Sequence, residues 1–331
     1  MRWLVVCIDG TWNSPAEETR FFCAPTNVQR ISELLVKDDA QRVFYLRGVG
    51  TDSVSDRLVG GGWGAGVARR IHDGYRILCE NYVPGDRIAL FGFSRGAFAV
   101  RWITGVMAHV GLLRPDALDV VGRAVSVGSR PFHGRVSAKD EDEKRDFVAK
   151  YCQRAIPVQF VGVFDTVIRY GPVLAPFRMM AERSMRRHIG LRDHRAPALI
   201  GRVAHALALD ESRIAFPPWR YEPAPAARPP QIIEEAWFAG SHSDVGGGYV
   251  DSESSEISLR WMAERAVDAG LRFRDMPRVG ENSHRAPLHP SRTGLWRCLP
   301  ALKRVVRDAD YIHPSVEMRM KTTDYRSMAL R

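Results

Sequence analysis

Leu90-Phe-Gly-Phe-Ser94-Arg-Gly-Ala-Phe98 is the stretch that decides how this chain is read. An apolar run, Arg87-Ile-Ala-Leu-Phe91, leads into Gly92-Phe-Ser94-Arg-Gly96, and a helix-like run follows from Ala97 to Leu113. Strand, tight turn and helix are the context in which a G-x-S-x-G match acquires physical meaning. So sharp a turn forces Ser94 into an unfavourable backbone conformation. The glycines two residues before and two after it remove side chains that would collide with the strand and the helix. The hydroxyl is then held out at the carboxyl edge of a sheet, where a substrate can reach it.

Outward from this turn, five short apolar runs read as buried parallel strands: residues 3–8, 42–46, 87–91, 158–164 and 235–238. Helical patterns lie between them, and this alternation predicts an α/β fold, a mostly parallel central sheet with helices on both faces. Four of the five strands end in a polar turn: Asp9-Gly-Thr-Trp-Asn13, the Ser94 turn, Asp165-Thr-Val, and Gly240-Ser-His242-Ser-Asp244. The ligand crevice of an open α/β sheet lies outside the carboxyl ends of its strands, so these residues fall where a site belongs. Residues 204–209 read as helix-like, with His205 structural. The chain reads as one domain, 1–331, with insertions at 125–151 and 172–230 and an irregular carboxyl-terminal region, 273–331. In the first insertion, Ala138-Lys-Asp-Glu-Asp-Glu-Lys-Arg145 reads as a solvated helix or loop. The apolar and basic stretch 172–195 reads as a lid or as a surface helix capping the core, and 223–230 as a stiff loop.

Composition excludes several classes. With 45% hydrophobic and 26% charged residues in 331, the chain is ordinary globular material. The net charge of +10 comes from arginines spread along the whole chain rather than gathered in one run, which argues against nucleic acid and is compatible with contact at an anionic membrane surface. Five cysteines, with no two close enough for a metal knuckle or redox pair, read as reduced thiols of a protein folded in the cytosol. The apolar run after Trp3 is too short for a signal-peptide core, and no stretch approaches the roughly 20 apolar residues of a spanning helix. The expected location is cytoplasmic, or outside the cell by export without an amino-terminal signal peptide.

A serine hydroxyl needs an imidazole to take its proton, a carboxylate to fix the imidazole tautomer, and N–H donors for the developing oxyanion. The chain supplies Ser94, Asp165 and His242 in that order, each at a strand end. Asp165 follows the uncharged run Phe160-Val-Gly-Val-Phe164, so its carboxylate is desolvated unless something partners it. It also reads as a cap for a helix beginning at Thr166. His313 competes with His242 as the base. The oxyanion donors expected are the N–H of Arg95 and that of Gly10 or Thr11. Asp9 and Asn13 are read as organising their loop, and Asp244 as a loop brace or metal ligand. No cofactor and no metal are required by this chemistry.

Taken together these blocks resemble one family, the α/β-hydrolase domain found in phospholipase effectors of the bacterial type VI secretion system. The resemblance runs through Asp9-Gly-Thr-Trp-Asn13, Thr26-Asn-Val28, Gly48-Val-Gly-Thr51, Tyr82-Val-Pro-Gly-Asp86, Gly92-Phe-Ser-Arg-Gly-Ala97 with Arg101, and Gly162-Val-Phe-Asp-Thr-Val167. It continues through His205-Ala-Leu-Ala-Leu-Asp-Glu211 with Arg213, the run from Trp237 to Tyr249, and His313-Pro-Ser315. It implies an α/β-hydrolase-like fold with a lid, the triad Ser94, Asp165 and His242, and hydrolysis of glycerophospholipid acyl esters. The partners it implies are a lipid or small-ester substrate and an immunity or secretion-adaptor protein. Three alternatives stay open from the residues: an esterase or amidase on another substrate, a non-catalytic lipid- or partner-binding protein of the same fold, and metal-assisted hydrolysis using Asp9 and Asp244.

Overall fold

Trp3-Leu-Val-Val-Cys-Ile8 is buried at every position and forms β1 (Trp3–Ile8), an interior strand with a parallel neighbour on each side. The computed structural model describes residues 1–10, 24–48, 62–133, 137–153, 156–167, 194–225 and 229–330. After β1 come α1 (Asn27–Leu34), β2 (Gln41–Leu46), α2 (Gly62–Asn81), β3 (Arg87–Phe93) and α3 (Arg95–Val110). A two-residue strand, β4 (Leu112–Leu113), precedes α4 (Val121–His133) and α5 (Ala138–Tyr151), and pairs antiparallel with β5 (Cys152–Gln153). The chain continues through β6 (Val158–Phe164), β7 (Ile200–Ala208), β8 (Ile232–Phe238), α6 (His242–Gly246), α7 (Glu253–Asp268), β9 (Tyr311–Ile312) and α8 (Pro314–Thr322).

Seven strands form one sheet in the order β2-β1-β3-β6-β7-β8-β9, with every neighbouring pair parallel. From β1 the chain steps to β2 on one side and then crosses to β3 on the other. The order therefore reverses beside β1, and a crevice opens at the carboxyl ends of β1 and β3. Side chains alternate between two cores, as the two-residue period of a strand requires. Leu4, Val6, Ile8, Leu90 and Val161 pack on one face with Ile103 and Val106 of α3 and Tyr75 and Leu78 of α2. Val5, Cys7, Ala89, Phe91 and Phe160 pack on the other face with Ile31 of α1 and Leu259 and Met262 of α7. Both faces are covered, which is why these strands carry continuous apolar runs.

Two expectations need correction. Residues 204–209 are not helical: 204–208 belong to β7, a central strand of nine residues buried from Val203 to Ala208, and Leu209 follows it in a bend. No helix starts at Thr166; it and Val167 follow β6 without helical geometry, and residues 168–193, which hold most of the expected lid, lie outside the described residues. The stretch 125–151 divides between two helices, and the expected solvated segment 138–145 lies in the second with no buried residue. Its first part lies in α4, which packs on α3 through the 2.7 Å hydrogen bond from Trp102 Nε1 to Ser129 Oγ. Its second part, α5, is capped by a reciprocal Ser137–Asp140 box and buries only Phe147 and Val148. The carboxyl-terminal region holds α8 and β9 among irregular turns. Among the described residues no helix is long and apolar enough to cross a membrane.

Candidate active site

Ser94 stands between β3 and α3 with φ 55° and ψ −118°, the strained turn that its flanking glycines predict. A Cβ on Gly96 would lie 2.0 Å from the Ile8 carbonyl oxygen, and one on Gly92 would lie 2.6 Å from Ala97 Cα. Neither position has room for a side chain, so the elbow is locked between the end of β1 and the first turn of α3. The Ser94 N–H donates to the Phe164 carbonyl at 3.1 Å, which ties the elbow to the last residue of β6. Asp165 comes next in the chain. Among the described residues Ser94 and Asp165 are the two non-glycines at positive φ, Asp165 at 33°. Backbone strain thus marks two of the three residues expected to act.

Asp165 is fully buried, and every bond it makes fixes it. Its N–H donates to Ala206 O at 2.7 Å, and its Oδ1 accepts from Ala208 N at 3.1 Å, so β7 holds both its main chain and its carboxylate. Its Oδ2 lies 2.6 Å from His242 Nδ1. Arg304 closes the other side with a two-pronged pair, Nη1 to Oδ1 and Nη2 to Oδ2, both at 3.1 Å, with both side chains inaccessible to solvent. Burial pushes the Asp165 carboxyl upward, but the Arg304 charge and the hydrogen bond and charge of His242 outweigh it and hold the group well below the usual carboxylate range. The carboxylate is ionised throughout the neutral range.

His242 is the first residue of α6, and its ring packs against Phe93 at 4.6 Å and edge-on to Phe216 at 5.3 Å between centroids. With Nδ1 directed at a carboxylate, the neutral imidazole carries its proton there and leaves the Nε2 lone pair for an incoming proton. Asp165 and His242 are therefore joined directly. Ser94 is brought to them through its N–H on Phe164 and through Phe93 on the imidazole, with no Ser94–His242 hydrogen bond among the described contacts.

The rival His313 is elsewhere. It caps α8, accepting from Ser315 N at 3.3 Å, and stacks on Phe238 at 4.8 Å. Burial lowers its pKa to about 4. His205 is buried in β7, where Nε2 accepts from the Thr166 N–H at 3.1 Å and Nδ1 meets Glu235 at 3.0 Å. That bond steadies the residue that follows Asp165.

Asp244 braces the loop beyond His242. Its Oδ2 accepts from Ser241 N, Ser241 Oγ and His289 N, and its Oδ1 meets His289 Nδ1 at 2.7 Å. Asp9 is likewise held, by Tyr45 OH at 2.6 Å and Thr26 Oγ1 at 2.7 Å on Oδ2, and by its neighbour Gly10 N at 2.7 Å on Oδ1. The Gly10 N–H expected at the oxyanion thus points at Asp9 and reaches another acceptor only by releasing it. The Arg95 N–H is the first amide of α3, at the positive end of a 16-residue helix. Thr11 and Asn13 lie outside the described residues.

Sequence reasoning missed Arg304, Glu211 and Phe216. Glu211, buried, accepts from the His242 N–H at 3.4 Å and pairs with Arg213 at 2.8 Å. One signal did point toward Arg304: a carboxylate closing an uncharged strand is desolvated unless something partners it, although nothing in the chain says which residue does.

Residues 2–265 match the family described as T6SS, Phospholipase effector Tle1-like, catalytic domain. The chain is 27% identical over 246 residues to Uncharacterized protein YEL023C of Saccharomyces cerevisiae, covering 67% of this chain and 33% of the yeast protein. It is similar to the crystal structure of an uncharacterized protein from Pseudomonas aeruginosa, with 17% identity, 84% of this chain and 48% of that one covered, and a TM-score of 0.46. It is also similar to the Tle1 effector bound to the VgrG spike of the type VI secretion system, with 19% identity, coverage of 75% and 51%, and a TM-score of 0.42. The chain spans about a third of the length of the yeast relative and about half that of the two solved chains.

Proposed function

The chain belongs to the family of Tle1-like phospholipase effector catalytic domains of the type VI secretion system, and from that premise we propose that it is a serine hydrolase cleaving the acyl esters of phospholipids. The observation that carries the reading is the 2.6 Å bond between Asp165 and His242 at the end of β6, directly beside the strained Ser94 elbow. Ser94 Oγ attacks the ester carbonyl while His242 Nε2 takes its proton. Asp165 keeps the imidazole in the Nδ1–H tautomer and balances the charge it acquires. The oxyanion is held by the Arg95 N–H and by that of Thr11, or of Gly10 once it leaves Asp9. His242 then protonates the departing lysophospholipid alcohol, leaving an ester between the acyl group and Ser94. Water, deprotonated by the same imidazole, releases the fatty acid and restores the hydroxyl. Delivery by a secretion-adaptor protein and neutralisation by an immunity protein belong to the same proposal.

The test replaces Ser94 with Ala. Incubation of the wild type with mixed bacterial phospholipids, followed by mass spectrometry, releases fatty acid and lysolipid, and a fluorophosphonate probe labels Ser94. The variant keeps the wild-type melting curve, takes no label, and turns over roughly 10⁴–10⁶-fold more slowly. Equal turnover by the two proteins overturns the assignment. Release from short soluble esters alone keeps the hydrolase and removes the phospholipid.

A further inference from the structure

Arg304 enters the site from a part of the chain that lies beyond residues 2–265, the span that matches the family. Its delivery is specific. Residues 301 and 302 lie alongside 212 and 213 as a short antiparallel bridge, Arg213 opposite Ala301, with Leu302 N donating to Ser212 O at 2.8 Å. Two residues later the Arg304 side chain turns inward with no solvent exposure and spends three N–H donors on three acceptors of two residues: both oxygens of Asp165, and the Glu211 carbonyl at 3.3 Å from Nε. The Glu211 carboxylate in turn reaches the His242 N–H. One guanidinium therefore grips the triad carboxylate and the segment beneath the imidazole together. A planar fork suits this, because bidentate geometry fixes the orientation of a carboxylate as well as its charge.

We infer that Arg304 is a positioning residue of the reaction: it orients Asp165 so that Oδ2 faces His242 Nδ1, and the carboxyl-terminal segment that carries it is part of the catalytic apparatus. The inference rests on the triad reading above and deepens it. Without the fork, the Asp165 carboxylate keeps only one main-chain N–H from β7 and His242, and is less firmly fixed against rotation about Cβ–Cγ. The imidazole then loses its fixed tautomer, and the cost falls on kcat and not on substrate binding. A purely structural Arg304 would instead lower the melting temperature and leave kcat per folded molecule unchanged.

The full chain is compared with Arg304→Ala and Arg304→Lys by hydrolysis of p-nitrophenyl butyrate and by the rate of Ser94 labelling with a fluorophosphonate, each normalised to folded protein. Arg304→Ala lowers kcat and the labelling rate together, roughly 10–100-fold, with KM near the wild-type value. Millimolar guanidinium chloride partly restores both, and equal sodium chloride or urea does not. Access for the added cation exists, since a cavity of about 360 Å³ lined by Arg304, Leu302, Asp210 and Tyr325 adjoins the vacated place. Arg304→Lys keeps the charge but not the fork, folds, and retains an intermediate kcat. The inference is overturned if folded Arg304→Ala turns over within about twofold of wild type, or if it is impaired without guanidinium rescue while Arg304→Lys is fully active. Where Arg304→Ala does not fold, the Lys variant decides, and wild-type kcat in it sinks the idea. Failure of the triad reading looks different: a wild type that takes no label, or a Ser94→Ala chain that still turns over.

Discussion

Asp165 concentrates the site's physics in one side chain. It is buried, strained and ionised, and its two oxygens serve a main-chain N–H, an imidazole and a guanidinium at once. Asp165→Asn keeps the shape and removes the charge. An amide presents one acceptor and one NH₂ group, so it cannot accept from both His242 and Arg304, and the imidazole is driven to the tautomer that cannot take the Ser94 proton. The expected result is a kcat lower by about 10³–10⁴ with KM unchanged. Stability falls as well, by about 3–5 kcal/mol, because Arg304 is left buried without a counter-charge. Esterase kinetics and urea unfolding of the same preparation check both halves, and a fully stable Asn variant would contradict the account of the ion pair. The strand ends that carry Ser94, Asp165 and His242 were legible in the chain because each residue ends or follows a run whose apolar character marks a strand. Arg304 was not, since its contact spans 139 positions and depends on a turn that no local pattern encodes.

The elbow works because β3 and α3 meet with no side chain between them. Gly96 faces the Ile8 and Asp9 carbonyls, and an added Cβ would stand 2.0 and 2.7 Å from their oxygens. Backbone atoms cannot swing aside as a side chain end can. Gly96→Ala therefore pushes α3 away from β1 and carries Ser94 with it. A loss of roughly 1–3 kcal/mol is expected from overpacking, with turnover falling further than stability because the hydroxyl leaves its place. Urea unfolding beside fluorophosphonate labelling separates the two effects, and a Gly96→Ala chain labelled at the wild-type rate would show that the close approach is not needed. At this scale the sequence reading was correct for strands with large β-branched or aromatic residues and failed for β7. Val203-Ala-His-Ala-Leu-Ala208 is rich in good helix formers, yet it forms a central strand. Ala204, Ala206 and Ala208 share one core with Leu259 and Met262 of α7, and pairing between β6 and β8 overrides local propensity. The strands β3 and β8 also run longer than read, through Phe93 and back to Ile232, where pairing with neighbours extends what hydrophobicity alone delimits.

Across the whole molecule, two histidines respond to acid with opposite sign. His289 bridges Asp244 at 2.7 Å and Asp251 at 3.1 Å, and the hydrogen bond to Asp244 raises its pKa despite partial burial. Its stabilisation is complete below the unfolded value, about 6.5, and fades as pH rises through the folded one. His313 behaves in the opposite way. Its Nδ1 accepts from Ser315 N at the start of α8, its ring lies on Phe238, and burial, with Arg265 adding a little and Glu264 opposing, lowers its pKa to about 4. Protonation destroys the cap and places a positive charge at the positive end of a helix. The folded state then binds fewer protons than the unfolded one between pH 6.5 and 4, so stability rises with pH across that window and falls on acidification. The loss approaches roughly 2–3 kcal/mol once the pH is below the folded value. His313→Asn keeps a capping side chain that does not titrate. Urea unfolding from pH 7.5 to 4 should show the wild type losing stability steeply below pH 6.5 and the variant losing less by about that amount. Neutral-pH turnover should be equal in the two, because His313 lies on the far side of Phe238 from β3 in the sheet order. Parallel pH profiles for the two proteins would show that His313 does not set the acid limit, and a dead Asn variant would return it to the site as a rival base.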